Sequence, residues 1–151
     1  MAKKSKEHSV KIRRARTSDA LRLAELSGQL GYPATAAEIT KRLRKLKSAS
    51  QNALFVAESC AAGVVGWAHV SVVHLLEVGT RSELNGLIVA DGQRSLGAGA
   101  LLLGAAENWA RRHGCTSMSV RSNVIRDRAH KFYERQGYEL YKTQKAFRRA
   151  L

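Results

Sequence analysis

The sequence predicts a mixed α+β domain built on a central sheet, and three observations predict it. Apolar residues recur with a helical period in some segments and alternate with a period of two in others, which marks helices and strands in succession. Glycine-containing turns separate those segments. No internal repeat or low-complexity linker interrupts the 151 residues, a length typical of one domain. The expected organisation is a basic tail over residues 1–9 and a single domain over 10–151.

Val10 to Arg16 alternates as a strand, and Thr17-Ser18-Asp19 offers capping oxygens to a helix with Leu23, Leu26 and Leu30 on one stripe. Gly31-Tyr32-Pro33 breaks that helix. Thr35-Ala36-Ala37-Glu38 then has capping-box spacing ahead of a second helix. Its apolar face is Ile39, Leu43 and Leu46, and Lys41, Arg42, Arg44, Lys45 and Lys47 surround it. From Ala53 the period becomes two, and a hairpin turning at Ala61-Ala62-Gly63 follows, with a long second strand. Ser82 to Val89 reads as a further strand. Gly97 to Arg112 reads as a long helix stopped by Gly114, with Leu101, Ala105, Trp109 and their neighbours expected on its buried stripe. Cys115 to Arg121 is the next strand, Asp127 to Gln136 a short helix closed by Gly137, and Tyr138 to Leu151 one or two final strands.

Composition excludes several classes. At 44% hydrophobic and 25% charged residues, the chain is far from the composition of a disordered protein. No apolar run is long enough to span a bilayer, and the basic N-terminus has no hydrophobic region behind it, so a cytoplasmic protein without membrane association is expected. Cys60 and Cys115 lack metal-ligand spacing, so no metal is expected and both thiols are read as reduced and buried. The net charge of +14 suggests a polyanionic partner. It is unevenly spread, however: residues 1–50 carry +9, 51–100 carry −2 and 101–151 carry +7.

The most informative segment is Gln93-Arg94-Ser95-Leu96-Gly97-Ala98-Gly99-Ala100, between a strand and a long helix. The first amides of a helix lack intrahelical acceptors, its dipole adds positive potential, and glycine lets a phosphate approach. No Lys-Ser/Thr follows the glycines as in a P-loop, and Leu102 stands where a dinucleotide motif has its third glycine. A phosphate cradle follows from these features, as does a simple close-packed turn.

Arg94-x-x-Gly97-x-Gly99 resembles the acetyl-CoA pyrophosphate loop of the GNAT N-acetyltransferase superfamily. Ala129-His130-Lys131-Phe132-Tyr133-Glu134-Arg135-Gln136-Gly137-Tyr138 resembles its A-x-x-F-Y-x-x-x-G-F/Y segment. The resemblance covers Val10 to Leu151. It implies a mostly antiparallel sheet of about six to seven strands with one splayed pair, flanked by about four helices. It also implies acetyl-CoA as co-substrate, transfer to a small-molecule or peptide amine in a ternary complex, and often a homodimer.

Carried over residue by residue, the backbone of Leu87, Ile88 and Val89 runs beside pantetheine, and the segment Arg94, Ser95, Leu96, Gly97, Ala98, Gly99, Ala100 holds the pyrophosphate. Tyr133 matches the family tyrosine near the CoA sulfur, where a phenol can protonate the departing thiolate. Glu83, eleven residues before Arg94, matches the position of a glutamate base in some members, with Glu77 and His74 as weaker alternatives. Trp67, His69 and Tyr32 could line the acceptor pocket, and Trp67 reads equally as core. Asn123 could bond cofactor or substrate, but the family asparagine three residues before the motif alanine is here Arg126. Arg126 or Arg128 is then the alternative donor to CoA phosphates. Two other readings compete: a basic nucleic-acid-binding module using the tail and second helix, and a non-catalytic acyl-CoA-binding domain.

Overall fold

The computed structural model describes residues 9–151; the basic tail expected over residues 1–9 lies, but for Ser9, outside the described residues. The chain forms two compact units, one ending at Arg121 and one spanning Ser122–Leu151.

The first unit contains β1 (Val10–Arg14), α1 (Ala20–Gln29), α2 (Ala36–Ser48), β2 (Asn52–Ser59), β3 (Gly63–Leu75), β4 (Gly79–Val89), α3 (Ala98–Arg112) and β5 (Met118–Val120). The strands make one sheet in the order β1-β2-β3-β4-β5. β1 to β4 are antiparallel, and β4 pairs in parallel with β5. A parallel pair needs a long crossover, and α3 supplies it. The mixed α+β architecture agrees with expectation at five strands rather than six or seven.

Alternation along the strands divides the core. Leu23, Leu26 and Leu43 pack with Val56 and Ile88 on one face, with Leu54 and Trp67 against them. The opposite face receives Leu102, whose methyl group lies 3.1 Å from where a side chain on Gly66 would begin. The buried stripe of α3 is Leu102, Leu103, Ala106, Trp109 and Ala110, while Leu101 is 46% exposed. Trp109 and the neighbours of the expected stripe are buried, whereas Leu101 is not and Ala105 is only half-buried. Three consecutive leucines leave the helical phase undetermined, and packing on the sheet selects it.

The capping box at α2 forms as predicted, with Glu38 N–H donating to Thr35 Oγ1 at 3.2 Å and Thr35 N–H to Glu38 Oε2 at 2.8 Å. Asp19 makes no side-chain cap to α1. Its carboxylate instead accepts two bonds from the Arg13 guanidinium, at 2.8 and 2.9 Å, and one from Arg16 N–H at 2.8 Å. Arg13 also donates to Glu58, so β1, β2 and the entry to α1 are tied at one point. Cys115 is buried as expected, but Cys60 is exposed because it falls in the β2–β3 turn.

The second unit contains one helix, α4 (Asp127–Arg135), which starts and stops within a residue of expectation. The final strands expected over 138–151 do not form. Leu140, Tyr141 and Phe147 are exposed, and these residues have no strand partner among the described residues to supply a ladder. β5 is likewise shorter than the predicted 115–121, since pairing to β4 covers only three residues. Among the described residues no helix is long and apolar enough to cross a membrane.

Arg13 holds the Asp19 carboxyl below its ordinary value. A depressed carboxyl stabilises the fold above its unfolded pKa of about 3.9, and that contribution is lost as pH falls through the lower folded value. Asp19→Asn is therefore expected to cost about 1.5–3 kcal/mol at neutral pH and to flatten the acid loss of stability. Thermal unfolding of both proteins between neutral pH and pH ~2 checks this, and parallel curves would rule out the role given to Asp19.

Candidate active site

The β4–β5 ladder runs from Ser82↔Met118 to Leu84↔Val120 and stops there. Ser82 reinforces its start, its N–H and Oγ donating to Ser117 O at 3.0 and 2.7 Å. β4 continues to Val89, so the edge from Asn85 to Val89 faces away from β3 without a strand partner among the described residues. Alternate amides and carbonyls along such an edge are free to bond an extended ligand. Leu87, Ile88 and Val89, named from the sequence, lie on it. Ile88 and Val89 are buried in the core and Leu87 is half-buried.

A bulge in β4 fixes which side chains share a face. His69 pairs with Gly86 and Val70 with Leu84, leaving Asn85 as the extra residue. Without it, Glu83 and Gly86 would point to opposite faces; with it, both lie on the face of His69 and Ser71. Asn85 Nδ2 donates to Ser71 Oγ at 2.8 Å, and Asn52 Oδ1 bonds His69 Nε2 at 2.9 Å. Burial pushes the His69 imidazole below its ordinary value, so it is neutral at pH 7. Gly86 is required here, since a side chain would begin 2.7 Å from the Trp67 ring. Trp67 thus packs as core, and Tyr32 is exposed.

Glu83 is 6% exposed, not a solvated strand carboxylate. Its Oε1 accepts an ion-paired bond from Arg121, and Oε2 stands 4.0 Å from Arg81 NH2. Arg81 and Arg121 went unnoticed in the sequence. The only signal was their placement, two residues before Glu83 and at the end of the predicted next strand. Glu77 and His74 lie near the β3–β4 turn, where His74 Nδ1 bonds Thr80 Oγ1 at 2.8 Å.

At the end of β4, Arg94-Ser95-Leu96 forms a single 3-10 turn, and Gly97 follows at φ 71°, a left-handed conformation that favours glycine. A side chain there would meet nothing within 4 Å. The backbone conformation demands glycine, and the space beside it is open. The first α3 bond at this end is Leu101 N–H to Gly97 O at 3.2 Å. The amides of Ala98, Gly99 and Ala100 precede it and have no acceptor inside the helix. Ala98 is fully buried. The Arg94 side chain clamps the turn, donating to Val89 O at 3.3 Å and pairing with Asp91 at 2.7 Å. A small left-handed residue, open space and amides at the head of a long helix fit a pyrophosphate.

In the second unit, Tyr133 packs between Phe132 and Tyr138, with ring centroids 5.2 and 5.8 Å away. Asn123 is used locally: its Oδ1 accepts from Ile125 N–H and its carbonyl from Arg126 N–H and His130 Nε2. Arg126 is the N-cap of α4. Among the described residues no group of three or more His, Cys, Asp or Glu side chains could hold a metal.

The sequence model of the acetyltransferase (GNAT) family matches residues 22–138. The chain belongs to that family. It is an acyltransferase, and acetyl-CoA is its co-substrate. The aminoglycoside N(6')-acetyltransferase type 1 of Stenotrophomonas maltophilia is 30% identical over 132 residues, which are 85% of each chain. Among solved structures, aminoglycoside N-acetyltransferase AAC(6')-Iy in complex with CoA superposes with a TM-score of 0.84 at 20% identity, over 95% of this chain and 96% of that one. A transcriptional regulator from Bacillus halodurans C-125 gives 0.82 at 22% identity, over 93% and 99%. At those identities the two structures show a shared fold.

Burial raises the Tyr133 phenol to about 12, against a smaller opposing effect of Arg126. A raised phenol keeps its proton through neutral and mildly alkaline pH, as a proton donor must. An ultraviolet difference titration against Tyr133→Phe is expected to place its ionisation near pH 12; ionisation at the ordinary value of about 10 would mean a solvated ring.

Proposed function

We propose that this chain transfers acetyl from acetyl-CoA to a primary amine of a small molecule by direct attack within a ternary complex. The observation that carries the reading is the β4 edge at Asn85–Val89, without a strand partner among the described residues, leading into the left-handed Gly97 and the head of α3. Pantetheine pairs with that edge. The pyrophosphate meets the amides from Arg94 to Ala100, with Asn123 and Arg126 as further cofactor contacts.

In this reading Glu83 accepts one proton from the acceptor ammonium, directly or through water at its less engaged Oε2. The freed nitrogen lone pair forms the C–N bond at the thioester carbonyl. Collapse of the tetrahedral species breaks the C–S bond, and the electron pair leaves on sulfur. Tyr133 gives its proton to that sulfur and regains one from the nitrogen, which now carries a surplus. The proton on Glu83 returns to solvent, so the products are amide, CoA thiol and one released proton. Attack is by the amine itself and not by Cys115, whose thiol burial pushes up, away from a reactive thiolate. Aminoglycosides are acceptors of the curated relative by its name and are the first amines to test. A homodimer is the expected assembly, which light scattering checks.

Calorimetric titration with acetyl-CoA is expected to show saturable binding by the wild type and none by folded Gly97→Glu, which puts charge and bulk into the open space beside the helix head. No wild-type binding would overturn the reading. Tyr133→Phe and Glu83→Gln are each expected to lower kcat by about 100-fold or more while acetyl-CoA binding persists. Unchanged turnover in either would remove that residue's assigned role.

A further inference from the structure

The acceptor side of this site is built around arginine, which bears on the class of amine it takes. Glu83 is the buried carboxylate on its stretch of β4, and two guanidiniums already share it, from Arg81 on the same strand and Arg121 just past β5. Arg121 is 80% exposed. Arg81 is mostly buried, and its pairing with Glu83 is long, at 4.0 Å. Its Nε–H is also buried without a hydrogen-bond partner. A buried guanidinium donor left unsatisfied is costly, and a planar fork of such donors suits a carboxylate or phosphate.

The contrast with Arg13 shows what a satisfied arginine looks like in this chain. Arg13 makes bidentate bonds to Asp19 and further bonds to Glu58, using Nε and both terminal nitrogens. Arg81 has the same chemistry and lacks that complement.

We infer that the acceptor carries an anionic group close to its reacting amine, the ammonium facing Glu83 and the anion facing Arg81 and Arg121. This deepens the acetyltransferase reading and rests on it. Arg81 and Glu83 are two residues apart on one face of a strand, about 7 Å along the backbone, so the two charges of the acceptor lie within a few bonds of each other. A polycation such as an aminoglycoside brings several positive charges to a face where guanidiniums outnumber carboxylates, and no anion to meet Arg81. His69, neutral on the same face, adds no charge. The anion is a carboxylate or a phosphate, and the two are separated by matched probes.

The test follows CoA thiol release with five amines: L-phenylalanine and 2-phenylethylamine, O-phosphoethanolamine and ethanolamine, and kanamycin A. The first two pairs differ in the anion, and kanamycin A is the polycation. Expected is a kcat/KM at least about tenfold higher for the anionic member of one pair, which identifies carboxylate or phosphate, with kanamycin A below it. Arg81→Gln and the exposed Arg121→Gln are each expected to shrink that ratio by about tenfold; Arg121→Gln keeps the test decisive if Arg81→Gln fails to fold. Three outcomes overturn the inference while acetyl-CoA binding upholds the parent reading: kanamycin A preferred, a ratio unmoved in the folded variants, or no acetylation of either anionic amine. Absence of acetyl-CoA binding by the wild type removes the parent reading and this inference with it.

Discussion

The parallel ladder between β4 and β5 ends after three residue pairs, and the proposed cofactor edge depends on where it ends. A longer β5 ladder would occupy the β4 edge with backbone partners and leave none for a ligand. A shorter one would leave the edge unanchored. Unpaired edges are ordinarily a hazard that proteins cover. Here the edge leads into the turn that opens α3, so backbone groups without a strand partner lie close in sequence to the helix-head amides of Ala98, Gly99 and Ala100. The bulge at Asn85 adds the second requirement, because it turns Glu83 and Gly86 to the same face.

Charge tells a similar story at two places in the first unit. Around Asp19, Arg13 is saturated by hydrogen bonds and joins β1, β2 and the entry to α1, a structural use of an ion pair in which no donor of the fork is left over. Around Glu83 the balance is reversed. Carboxylate is scarce, guanidinium is in excess, and one donor is buried unpaired. A net charge of +14 says nothing about that difference, which depends on how each arginine is paired.

Most signals that depend on near neighbours hold in the structure, the cap expected from Asp19 excepted. The Thr35–Glu38 box, the turn glycines and the limits of α4 depend on contacts a few residues apart. Features that depend on partners across the fold are not encoded in short-range spacing. In α3 Trp109 is buried as expected and Leu101 is not, because three adjacent leucines satisfy several stripes equally. The strands expected over 138–151 rested on alternation alone, and alternation does not supply a neighbour to pair with. Glu83 was picked out by its distance from Arg94, but its burial and its two arginines lie beyond what an offset along the chain contains.

The sequence by itself determined the order of helices and strands as far as α4, the glycine turn at the head of α3 and the family to which the chain belongs, because short-range spacing and backbone conformation encode these. Only the tertiary structure decided where the β4–β5 pairing stops, that Asn85 bulges out of register, and that Arg81 and Arg121 converge on Glu83. Those features arise from residues tens of positions apart meeting across strands, and the free energy that selects them is a property of the packed sheet, not of any one segment.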